Sequence, residues 1–60
     1  MKTIIVSYEA ISPAVLAQKV EYWFPGCVCR WKDIDEDFFE FSVFFVKDLD
    51  AVEDLLAEYV

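Results

Sequence analysis

The chain has 60 residues, 58% of them apolar and 18% aromatic, with 12 acidic residues against 5 basic ones, no His, one Gly and two Pro, for a net charge of −7. Its length allows one domain, residues 1–60, its aromatic content excludes disorder, and its Gly and Pro counts exclude a collagen-like or low-complexity chain. The charge disfavours direct contact with nucleic acid, because that affinity rests mainly on Lys and Arg at phosphates.

Lys2 to Glu9 reads as a strand, rich in the β-branched residues Thr3, Ile4, Ile5 and Val6. Ser12-Pro13 predicts a helix start, with Ser as N-cap and Pro at the first helical position. Ile11 and Leu16 occupy the two positions of a hydrophobic staple. Leu16, Val20, Trp23 and Phe24 follow at helical spacing with Ala17 beside them, and Gln18, Glu21 and Tyr22 lie on the other side. Pro25-Gly26 ends the helix.

Cys27 to Lys32 alternates as a half-buried strand, with Cys27, Cys29 and Trp31 on one face and Val28, Arg30 and Lys32 on the other. Asp33 to Asp37 is a charged connection. Phe38 to Val46 is the longest β-type run. Phe39, Phe41, Val43 and Phe45 share one face, and Phe38, Glu40, Ser42, Phe44 and Val46 share the other. A loop centred on Glu36 sets Trp31 opposite Phe41, Cys29 opposite Val43, Arg30 opposite Ser42 and Lys32 opposite Glu40. A slip of one residue puts Trp31 against Glu40 and loses the pattern. Lys47 to Val60 reads as a second helix, with Asp48 as the N-cap and Asp50 as its rival. Leu49, Val52, Leu55, Leu56 and Tyr59 form its buried stripe.

The order β-α-β-β-α, with a right-handed first crossover, predicts an α+β two-layer sandwich. A three-stranded antiparallel sheet, in the order first, third, second, carries both helices on one face, similar to a truncated ferredoxin-type fold. The other sheet face is left open, showing Phe38, Phe44 and Val46 beside Arg30, Lys32 and Glu40. Such an uncovered apolar strip is a candidate interaction surface.

The cysteines, Cys27 and Cys29, share a strand face two residues apart. A disulfide there is strained, and two thiols without His cannot close a tetrahedral zinc site within one chain. They read as core residues in a reducing compartment. The amino-terminal residues lack a secretory pattern, and no apolar run approaches the ~20 residues of a membrane span. A cytoplasmic protein with no metal and no cofactor is expected.

Enzyme chemistry finds no support. No His is present for Ser-His or Cys-His pairs, and the single Gly26 cannot make a phosphate loop. Paired carboxylates across a cleft need more room than this domain offers. Asp33-Ile34-Asp35-Glu36-Asp37 opens like a calcium-binding EF-hand loop, but Phe38 replaces the required Gly and Phe44 the required Glu.

The charge is divided. Residues 1–32 hold two acids against four bases, a charge of +2, and residues 33–60 hold ten acids against Lys47 alone, a charge of −9. A helix N-terminus accounts for Asp48 and Asp50. Asp50, Asp54 and Glu58 recur at helical spacing, where like charges destabilise by a few tenths of a kcal/mol. Glu53 adds to this face, and Asp33, Asp35, Glu36 and Asp37 form a second cluster. Carboxylates one turn apart are spaced comparably to successive phosphates, so a partner with a basic groove fits by charge complementarity.

In these features the chain resembles, in character, the small acidic inhibitors that phages make against host defence, namely anti-CRISPR proteins and other DNA mimics. The resemblance implies blockage of a DNA- or PAM-binding surface on a partner, for example a CRISPR effector subunit, in the host cytoplasm. No direct nucleic-acid or membrane contact is expected, and the chain is expected to be a monomer or weak homodimer. A second expectation is an interaction or antitoxin-like module binding through the apolar sheet face or the helix row Val15, Lys19 and Tyr22. A homodimer through the open sheet is a third.

Overall fold

The computed structural model describes residues 1–59. Strand β1 (Lys2–Ser7) leads to helix α1 (Pro13–Trp23), followed by strands β2 (Val28–Asp33) and β3 (Phe38–Phe44) and helix α2 (Leu49–Leu56). A 3-10 turn, Ala57–Tyr59, continues α2. The last residue of the expected second helix, Val60, lies outside the described residues.

The sheet has the order β1-β3-β2 and both pairings are antiparallel. β3, the longest and most apolar strand, takes the centre, where both of its edges are hydrogen-bonded. The expected register is present: Trp31 faces Phe41, Cys29 faces Val43, Arg30 faces Ser42 and Lys32 faces Glu40. Period-2 alternation forces it, since a one-residue shift turns every buried residue of a strand toward water. Ile4, Val6, Phe39, Phe41 and Val43 meet Leu16, Ala17 and Val20 of α1 and Val52 and Leu56 of α2 in one core. Both helices therefore cover the same sheet face.

The helix starts follow their local chemistry. Ser12 Oγ accepts from the Val15 N–H at 3.4 Å with Pro13 at the first helical position. Asp48 Oδ1 accepts from the Ala51 N–H at 3.1 Å. Each satisfies a donor that the first helical turn leaves unpaired. At the end of α1, Gly26 takes φ 91°, the left-handed region that a Cβ disfavours.

Five expectations are corrected. β1 stops at Ser7, because the chain turns through Tyr8–Ala10, where the Ala10 N–H donates to the Ser7 carbonyl. β2 begins at Val28, not Cys27, whose N–H closes the helix-end turn onto the Phe24 carbonyl. Trp23 is not in the α1 stripe but 61% exposed, and Phe24, at the helix C-cap, packs on the core instead. Leu49 is exposed rather than buried, as the N-terminal residue of a helix whose packed face is Val52, Leu55 and Leu56. Finally, the strand alternation breaks at Phe45. That residue adopts φ 62°, so its side chain swings outward and Val46 turns in to pack on the core.

Candidate functional site

The acidic residues separate into those with an intramolecular task and those without one. The β2–β3 loop is centred on Glu36, with the Ile34 N–H donating to the Phe38 carbonyl at 3.0 Å. Asp35 Oδ1 accepts from the N–H groups of Asp37 at 2.8 Å and Phe38 at 3.0 Å, an Asx turn that shapes the loop. Asp33 accepts the Tyr8 hydroxyl, and the Asp37 carbonyl accepts the Tyr8 N–H at 2.9 Å. Tyr8 also packs on Phe39, ring centres 4.9 Å apart. It thereby ties the turn after β1 to the hairpin loop. The Asp33 hydrogen bond first, and then burial and the Asp33 charge, hold the Tyr8 phenol above its ordinary pKa.

On α2 the expected acidic face divides in the same way. Lys2, on the covered side of β1, reaches Glu53 at 3.0 Å. Glu53 therefore belongs to an ion pair across the core rim and not to a free row. Glu58 lies in the 3-10 turn, off the α-helical row expected with Asp50 and Asp54. Its carboxylate stands near Lys19, whose ammonium donates to the Tyr59 hydroxyl at 2.6 Å. That bond, then the Tyr59 charge, then Glu58 raise the Lys19 pKa, opposed by partial burial. Lys19 is thus engaged and does not form a free row with the exposed Val15 and Tyr22.

Glu9 and Glu21 in the first half are exposed and in no ion pair among the described residues. In the acidic second half, what remains is Glu36 and Asp37 at the hairpin tip, Asp54 on α2, and Asp50 in the first turn of α2, where the helix dipole favours an acid. All four are exposed, and among the described residues none lies in an ion pair. The hairpin tip closes one end of the central strand and α2 starts beyond the other, in a molecule 32 Å long. The two acidic groups are therefore separate patches.

The open sheet face also differs from expectation. Val46 is absent from it, while Ile5 and Val28 join Phe38 and Phe44. Phe44 faces Val28 at one end, and Phe38 sits at the other. Between them lie Arg30, the Lys32–Glu40 pair at 3.9 Å and the Thr3–Ser42 hydroxyl pair at 3.0 Å. This polar centre interrupts the apolar strip, and its net positive character contrasts with the acidic patches at the two ends of the molecule.

A further surface was not legible in the sequence. Phe45 is 80% exposed and Tyr22 76% exposed, and Trp23 packs edge-on against Tyr22 with ring centres 5.2 Å apart. Trp23 and Phe45, with Phe24, Val46, Lys47 and Asp48, line a hollow of 530 Å³. Periodicity places Trp23 and Phe45 on buried faces. Only the unbroken run Phe44-Phe45-Val46, which a half-buried strand does not need, hints that one residue points elsewhere. Exposed aromatics beside a hollow are the usual anchors of protein interfaces.

Among the described residues no helix is long and apolar enough to cross a membrane. No family model, curated protein or solved structure matches the chain.

Proposed function

We propose that this protein is an acidic inhibitor-type module that occupies a basic, nucleic-acid-binding surface of a partner protein in the cytoplasm. In this reading it acts as anti-CRISPR and other DNA-mimic proteins do, with no catalytic step. The observation that carries the reading is the set Glu36, Asp37, Asp50 and Asp54, exposed and without cations among the described residues. Fold stability does not explain Asp54, which has neither a capping position nor a paired base. Asp33 and Asp35 hold the hairpin loop in shape and Glu53 pairs with Lys2, so these three do not supply the contacts.

The test is capture of partners from nuclease-treated host lysate on the immobilised protein. A partner bound by charge mimicry is released by duplex DNA and by moderate salt. Asp54→Lys combined with Asp50→Lys abolishes its capture while the far-ultraviolet circular dichroism is retained. Capture indifferent to salt, to DNA and to those substitutions refutes the proposal.

Phe45 favours a second reading. A bulky residue at φ 62° with its ring in water is the kind of backbone outlier found at functional sites. Under this reading the protein is an interaction module whose anchor is the Trp23–Phe45 hollow. Phe45→Gly then removes partner binding, and salt has little effect.

A further inference from the structure

The sheet has two edges, β1 and β2, and single hydrogen bonds fix which backbone groups each edge offers. The Tyr8 N–H donates to the Asp37 carbonyl directly opposite it at 2.9 Å, continuing the β1–β3 register. Bonded and non-bonded pairs alternate along an antiparallel ladder. Lys2, Ile4 and Val6 therefore bond β3, while Thr3, Ile5 and Ser7 turn their N–H and C=O groups outward. The Ile34 N–H donates to the Phe38 carbonyl at 3.0 Å and sets the same alternation on the other side, so Cys29, Trp31 and Asp33 point outward from β2. Among the described residues no hydrogen bond reaches the outward N–H of Thr3 or Ile5.

Unpaired backbone groups in a row are a template for another strand, and charged side chains are the usual guard. β2 carries that guard as Arg30 and Lys32 on its open face. Two copies joined there about a two-fold axis, in a register centred on Arg30, Trp31 or Lys32, set Arg30 against itself or Lys32, or Lys32 against itself. Like charges directly opposite are destabilising. β1 has no guard. Its open-face residues Thr3 and Ile5 are uncharged and exposed, and its one charge, Lys2, lies on the covered side in an ion pair with Glu53. Centred on Ile5, two antiparallel copies of β1 set Ile5 against Ile5, Thr3 against Ser7 and Ile4 against Val6. These are β-branched and hydroxyl pairs, the kinds that stabilise neighbouring strands, and no like charges meet. The edge is thus complementary to itself, whereas the β2 edge repels itself.

We propose that the β1 edge joins two copies of this chain into an isologous dimer. Its six-stranded sheet runs β2-β3-β1-β1-β3-β2, with all four helices on one face. Each copy brings a charge of −7, so long-range repulsion opposes association and salt strengthens it. That is the reverse of a contact with a basic partner. The interface uses backbone groups of β1 and not the acidic patches, so it stands or falls separately from the inhibitor reading.

The experiment combines sedimentation equilibrium of the intact protein with amide hydrogen exchange read residue by residue. The expected result is a reversible monomer–dimer equilibrium whose association constant rises several-fold between about 0.05 M and about 0.5 M salt, as screening shortens the reach of the charges. The Thr3 and Ile5 amides gain protection as the dimer fraction rises, while those of Cys29 and Trp31 exchange alike at every concentration. Ile5→Lys places two ammonium groups opposite each other and weakens association at least about 10-fold. Its position is exposed, and circular dichroism checks that the fold is kept. A monomer at all concentrations, a dimer that leaves the Thr3 and Ile5 amides unprotected, or protection at Cys29 and Trp31 instead overturns the proposal. The wild-type exchange pattern decides the matter even if Ile5→Lys unfolds.

Discussion

Phe45 offers a direct measurement of backbone strain, because alanine and glycine at that position separate the backbone from the side chain. A non-glycine residue in the left-handed region costs roughly 1–2 kcal/mol, and Phe45 sits there at φ 62°. Its ring is 80% exposed, so about one fifth of a roughly 200 Å² side chain is in contact with the fold. That is about 40 Å², or ~1 kcal/mol at 25 cal/mol per Å². Phe45→Ala removes the contact and keeps the strain, and so destabilises by up to ~1 kcal/mol. Phe45→Gly removes both, at a chain-entropy cost of roughly 0.5–1 kcal/mol. Glycine is therefore expected to be more stable than alanine by about 0.5–1 kcal/mol, the reverse of the order inside a strand or helix. Urea denaturation of the two variants reads the difference directly. In a domain of this size 1 kcal/mol corresponds to about 4–8 °C in Tm. An alanine variant as stable as the glycine variant, or more so, refutes the strain.

Three other outcomes are expected. Alkylation mapped by peptide mass at pH 8 finds Cys29 on the order of 10–100-fold slower in the folded protein than in urea. Burial, then the Cys27 charge and hydrogen bond, then Glu21, push its thiol up to about 12, and the greater nucleophilicity of the rare thiolate recovers only part of the lost ionisation. The folded pKa values of Cys29 and Tyr8 are both raised, so their stabilising effect is complete below about pH 8.5. It is lost as pH rises toward 12, and chemical denaturation across that window shows falling stability, reduced in Cys29→Ser. Phe39→Ala, at a fully buried position packed by Tyr8 and Phe41, costs about 3–5 kcal/mol. With total stability of roughly 3–9 kcal/mol for 60 residues, circular dichroism finds the variant largely or wholly unfolded at 37 °C.

The element order, the helix starts and the strand register were all legible in the sequence, because each rests on local or period-2 rules. Ser12-Pro13 and Asp48 cap their helices through backbone donors three residues away. A one-residue slip of β2 against β3 exposes an entire apolar face. The acidic half was legible as well, but not its division. Charge counting finds Glu53 and Asp35 equal to Asp54, whereas Lys2, 51 residues away in sequence, claims one and a loop backbone claims the other. Trp23 and Phe45 were misplaced for a similar reason. Hydrophobic periodicity states which residues can be buried, and a core with room for Phe24 and Val46 decided which were. Composition and pattern alone determined a small α+β chain with an acidic second half. The tertiary structure decided which acids are free and which aromatics face water, because these depend on contacts between residues distant in sequence.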